Sequence, residues 1–82
     1  MIEVSIRVCK KAGQWRLQAL EISDEEGRSY NFYGEADLYA SPEEVVVLAK
    51  VNAQERIADV WGSVPGEKIR WHVWTMPDQQ TL

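Results

Sequence analysis

Ser41-Pro42-Glu43-Glu44-Val45-Val46-Val47 is the stretch on which the fold turns. Three consecutive β-branched valines favour a strand. The four residues before them favour a helix start. Ser41 can accept an amide proton from two or three residues on, Pro42 at the first helical position loses no bond, and Glu44 is placed to complete a capping box. A valine costs roughly a few tenths of a kcal/mol in a helix, and neither Pro nor Gly recurs before Gly62 and Pro65. The spacing therefore predicts a helix from Pro42 that ends at Gly62.

At about 100° per residue, Val46, Ala49, Ala53, Ile57 and Val60 form one stripe, expected to cover a sheet. Val47, Val51 and Ala58, with Leu48 at the edge, form a second stripe more than about 100° away. That second stripe has no predicted partner within the chain and is the candidate oligomer interface.

The residues on either side of the helix read as strands. Ile2, Val4, Ile6 and Val8 alternate with Glu3, Ser5, Arg7 and Cys9, the period of a strand with one buried face. Lys10-Lys11-Ala12-Gly13 reads as a hairpin connection. In the second strand Trp15, Leu17 and Ala19 share one parity and Leu20 and Ile22 the other, so a bulge is expected near Ala19-Leu20. Ser23-Asp24-Glu25-Glu26-Gly27 is a turn. The third strand is expected to be long, with Tyr30, Phe32, Gly34, Ala36 and Leu38 facing one way and Asn31, Tyr33, Glu35, Asp37 and Tyr39 the other. Gly34 marks a bend or a close approach. After the helix, Ile69, Trp71 and Val73 alternate with Arg70, His72 and Trp74 in a last strand.

The expected fold is α+β: a small antiparallel sheet in β-β-β-α-β order with one helix packed on one face. Residues 1–76 read as a single domain and residues 77–82 as a C-terminal tail. With 82 residues, 45% hydrophobic and 27% charged, the chain matches an ordinary globular composition and supports one small core, with no interdomain cleft. One cysteine, Cys9, and one histidine, His72, exclude an internal disulfide and a Cys/His zinc site. No apolar run approaches about 20 residues and no charged start precedes one, so neither a membrane span nor a signal peptide is expected, and the expected location is cytoplasmic.

No motif assigns an activity. His72 has no acid beside it in sequence and no nucleophile motif accompanies it. Cys9, next to Lys10 and Lys11, reads as a small apolar filler. Glu35 and Asp37 share a side of their strand, as paired carboxylates do, but read as a solvated acidic edge. Glycines occur singly, without a phosphate-binding loop, and Asp24, Glu25 and Glu26 lack calcium-loop spacing. Neither a cofactor nor a metal is expected, and the chain is not expected to be an enzyme.

The net charge of −4 is unevenly spread: about +2 over residues 1–22, about −6 over residues 23–44, and balanced beyond. Asp24, Glu25, Glu26, Glu43 and Glu44 form an acidic belt in sequence, which repels a phosphate backbone. One helix covers one face of a sheet, so the other face must meet water or a partner. Its expected residues, Arg7, Arg16, Tyr33, Glu35, Asp37, Tyr39, Arg70, His72 and Trp74, combine Arg with aromatics as recognition surfaces do.

The hairpin-plus-helix order recurs in double-stranded-RNA-binding domains, small antitoxin domains, phage-encoded inhibitors and many other bacterial proteins, so the topology transfers no function. The expectation is a non-catalytic protein-binding module. It would be a small acidic inhibitor or regulator, of the kind phages and mobile elements encode, blocking a basic or nucleic-acid-binding site on a larger protein partner. The alternative is nucleic-acid binding through the Arg/aromatic face. A homodimer is expected through that face or the second helix stripe, without a membrane partner.

Overall fold

The computed structural model describes residues 1–34 and 37–76. The 77–82 tail and Glu35 lie outside the described residues. Four strands, β1 (Ile2–Lys11), β2 (Gln14–Asp24), β3 (Ser29–Tyr33) and β4 (Ile69–Met76), form one sheet in the order β3-β2-β1-β4. The α-helix, α1 (Pro42–Trp61), lies between β3 and β4 in sequence and packs against β1 and β2. This is the expected α+β class, with one refinement. β1, β2 and β3 are antiparallel neighbours, whereas β4 runs parallel to β1, so the sheet is mixed rather than wholly antiparallel. The cause is the helix, whose 20 residues carry the chain about 30 Å back along the sheet before β4 begins.

The β1–β2 hairpin closes through Ala12 (φ 52°) and Gly13 (φ 80°), both left-handed as a type I′ turn requires. The bulge sits where Arg7 pairs with Ala19 but Val8 pairs with Leu17, which leaves Gln18 as the extra residue of β2. That one residue brings Leu17 and Leu20 onto the same buried face. β3 is shorter than its alternation implies. It ends at Tyr33 because Gly34 adopts φ 75°; Gly34 still donates its N–H to the Gln18 carbonyl at 3.0 Å, and farther on Tyr39 exchanges backbone bonds with Trp15.

The helix start is as the sequence predicts: Ser41 is extended and its Oγ accepts the Glu44 N–H at 3.3 Å. The return bond from the Glu44 carboxylate that would complete a capping box is not formed among the described residues. Gly62 (φ 77°) closes the far end by donating its N–H to the Ala58 carbonyl at 3.1 Å.

Val45, Ala49, Ala53 and Ile57 form the buried stripe of α1. Val46 and Val60 are only half-buried at its margin, so the stripe is centred one residue from the expected one. The core joins them to Ile2, Val4, Ile6, Val8, Leu17, Leu20 and Ile22. Ala49 and Ala53 let the helix backbone approach these branched side chains closely. Among the described residues no helix is long and apolar enough to cross a membrane.

Candidate functional site

Two surfaces are candidates for function: the sheet face that α1 leaves open, and the outer face of α1 itself.

The open sheet face carries Arg7 on β1, Arg16 on β2, Tyr33 on β3, and Arg70, His72 and Trp74 on β4, as the alternation predicts. Register sets Arg7 beside both Ala19 and Trp74, Ala19 beside Tyr33, and Cys9 beside Arg16. Three other expected members lie elsewhere. Tyr39 is half-buried on the helix side, because the Gly34 turn reverses the parity that a continuous strand would have kept. Asp37 is exposed beyond the end of β3, and Glu35 lies outside the described residues.

The charges on this face are committed to one another. Arg7 lies 3.5 Å from Glu21 and its guanidinium sits 5.8 Å from the Trp74 ring centre. Arg70 meets Glu3 at 3.3 Å, and Arg16 donates from Nε to Cys9 Sγ at 3.5 Å. Tyr33 donates its hydroxyl proton to Glu21 at 3.0 Å. That bond, with some desolvation and the Glu21 charge, raises the Tyr33 pKa above the usual phenol value, while Arg7 opposes the rise. His72 stacks on Trp74 with ring centres 5.8 Å apart, and its Nε2 is 3.9 Å from Glu3.

Glu21 is the organising residue that sequence reasoning missed. Its signal was present, since it lies between the buried Leu20 and Ile22 and therefore points to the open side.

Ser5 is the register partner of His72, so a serine, an imidazole and a carboxylate are neighbours here. No bond joins Ser5 to the imidazole, and an open sheet supplies no enclosed donors for a developing oxyanion. Among the described residues no group of three or more His, Cys, Asp or Glu is arranged to hold a metal ion.

The acidic belt, continuous in sequence, is divided in space. Glu43 and Glu44 stand in the first turn of α1, whereas Asp24, Glu25 and Glu26 sit beside its last turn, about 27 Å away at 1.5 Å per residue. Asp24 serves the fold. Its Oδ2 accepts the Trp61 indole N–H at 2.6 Å, and its Oδ1 accepts the Glu26 and Arg28 N–H groups, each at 2.9 Å. The indole bond is the main cause of a lowered Asp24 pKa; partial desolvation works against it, and the two backbone bonds and the Arg28 charge reinforce it. Arg28 also donates to the Val60 carbonyl at 3.4 Å, so the β2–β3 turn grips the end of the helix twice. Glu25 meets the Met1 ammonium at 2.8 Å, which lowers its pKa.

On the outer face of α1, Val47 is 60% exposed and Leu48 and Val51 are each 49% exposed; Ala58 continues the line one turn from the end. This is the second stripe anticipated from the sequence. Its surroundings were not anticipated. Tyr39 and the helix start enclose an open depression of ≈ 430 Å³ lined by Glu43, Glu44, Val47 and Leu48. Glu55 lies on the same side of the helix by periodicity. Among the described residues no cation pairs with Glu43, Glu44 or Glu55, whereas Asp59 is held by Arg56 at 3.4 Å. Lys50 is turned away, over the Trp71 ring at 5.6 Å. The outer helix face is thus apolar along its centre and acidic at its rim.

No family model, curated protein or solved structure matches the chain, so the functional reading rests on this geometry.

Proposed function

We propose that the chain is a non-catalytic protein-binding module, a small acidic regulator that lays the outer face of α1 against a basic surface of a larger protein and blocks it. The observation that carries this reading is the exposed Val47, Leu48 and Val51 stripe beside carboxylates that no cation of the described chain neutralises. A stripe of this kind offers a groove partner anchors at helical spacing, and a carboxylate rim selects a basic partner and speeds encounter with it. A basic site that binds nucleic acid meets the same requirement. The open sheet face supports the reading less well, because Arg7 and Arg70 already have Glu21 and Glu3, and burying those pairs would cost their hydration.

Capture of partners from the native host at modest salt, followed by mass spectrometry, tests the proposal with two variants. A protein that binds the parent chain and Trp74→Ser but is lost with Glu43→Lys/Glu44→Lys supports it. A partner retained by the lysine variant and lost by Trp74→Ser transfers the function to the sheet face. The alternative, nucleic-acid binding, predicts instead a mobility shift of single- or double-stranded probes at low salt that Arg16→Ala and Trp74→Ser weaken.

A further inference from the structure

We infer that the free edge of β4 pairs with β4 of a second copy, joining two four-stranded sheets into one of eight strands about a two-fold axis. The two edges of the sheet differ in how they are protected. β3 has five residues and is stopped by the left-handed Gly34, which limits the ladder it can offer. β4 has eight residues, Ile69–Met76, pairs only with β1 among the described residues, and contains no Pro, Gly, Lys or bulge. Its side chains are those that extended pairing favours, and Val73 and Trp74 are 42% and 48% exposed. Arg70 is the one charged residue along it, and a long edge otherwise without such devices is a template for another strand.

The strand is complementary to itself. A two-fold axis normal to the sheet pairs residues that point to the same side, so only registers that preserve the alternation are allowed. Centred on His72, the register sets Trp71 against Val73 of the second copy on the helix side, Arg70 against its Trp74 on the open side, and Ile69 against its Thr75. At the two positions flanking the centre an aromatic residue then meets a β-branched residue or a guanidinium, and the third pair joins two β-branched residues, all favourable cross-strand pairs. The two Arg70 side chains stay four positions apart along the paired strands, about 13 Å.

The other two-fold contacts are worse. Apposing two copies of the outer α1 face would gather the Glu43, Glu44 and Glu55 carboxylates of both copies at one contact, and stacking two open sheet faces would bury the Arg7–Glu21 and Arg70–Glu3 pairs. The edge contact is small, about 23 Å long and about 10 Å deep per copy, below the size of standard interfaces, so the dimer is weak and reversible.

Sedimentation equilibrium between about 10 μM and about 1 mM should show the mass rising from 9.4 kDa toward twice that value. Val73→Lys should hold the chain as a monomer across the range, and Val51→Glu should leave the association within about twofold of the parent. Amide exchange on the parent chain needs no variant: protection of β4 amides should increase with concentration while that of β2 stays constant. A parent chain that remains monomeric at the highest concentration overturns the proposal. So does a dimer abolished by Val51→Glu and untouched by Val73→Lys, or β4 protection that is already complete in dilute solution, which would mean that the chain covers its own edge.

Discussion

Ala12 is the one non-glycine residue at positive φ among the described residues, and replacing it should make the protein more stable. At φ 52° its Cβ crowds the following carbonyl, which costs an L-residue roughly 1–2 kcal/mol. Asn relieves part of that cost because its short polar side chain bonds locally in the left-handed region, and Asn-Gly is the favoured pair for a type I′ hairpin. Ala12→Asn should therefore gain about 1 kcal/mol, equivalent to about 4–8 °C in Tm for a domain of this size. Ala12→Gly removes the crowding entirely but loosens the unfolded chain by about 0.4–1 kcal/mol, so its gain should be smaller. The neighbouring position is the control. Gly13 sits at φ 80° and a Cβ built there meets nothing within 4 Å, so Gly13→Ala isolates the backbone term and should lose about 1 kcal/mol. Urea melts followed by tryptophan fluorescence give all three differences, with an unchanged m-value confirming that stability alone has moved. An Ala12→Asn protein that melts at or below the parent, with Gly13→Ala indistinguishable from it, would refute the assignment of a left-handed two-residue turn.

Ser41→Ala should lower stability by about 1 kcal/mol, since its Oγ holds the Glu44 N–H, and an unchanged Tm would mean that the helix begins elsewhere. Leu20→Ala, at a fully buried site facing the helix, should cost about 2–5 kcal/mol in the same melts. The lowered pKa of Asp24 gives a sign: its stabilising contribution is present above the unfolded carboxylate value and is lost as pH falls through the lower folded one. Acid titration followed by circular dichroism should accordingly show a shallower loss of stability in Asp24→Asn than in the parent, and equal slopes would remove Asp24 from the acid transition.

What was legible in the sequence was local. Ser41, Pro42 and Gly62 announce the helix by stereochemistry that acts within four residues, and the valines at 45–47 cannot reverse it. The bulge was legible for a similar reason, since the apolar parity of β2 has to change somewhere between Leu17 and Leu20. The direction and place of β4 were not, because nothing in Ile69–Met76 says which edge it will join or whether its neighbour runs with it; those depend on where a 20-residue helix delivers the chain. Tyr39 was assigned to the wrong side because alternation was carried across Gly34, a residue free to leave the extended region. The acidic belt misled differently: Asp24 and Glu44 are neighbours in composition and stand at opposite ends of a helix in space, and Asp24 is occupied by Trp61, a residue 37 positions away. The outer helix face was half visible, because periodicity finds Val47 and Val51 but not which carboxylates near them lack a cation.

The position of β1 between β2 and β4 bears on how the protein is made. One flank of β1 finds its partner across a two-residue turn, but the other flank waits for Ile69–Met76, the last of the four described strands to be synthesised. At typical elongation rates that interval is roughly 3–12 s, during which the strand carrying Ile2, Val4, Ile6 and Val8 has a raw edge. A nascent chain stopped short of Ile69 would hold a hairpin and a helix over an unfinished sheet, the form most open to chaperone capture or to pairing with another nascent chain. Force measurements with an arrest sequence placed at successive points along the chain would locate the final folding step after β4 has cleared the ribosome.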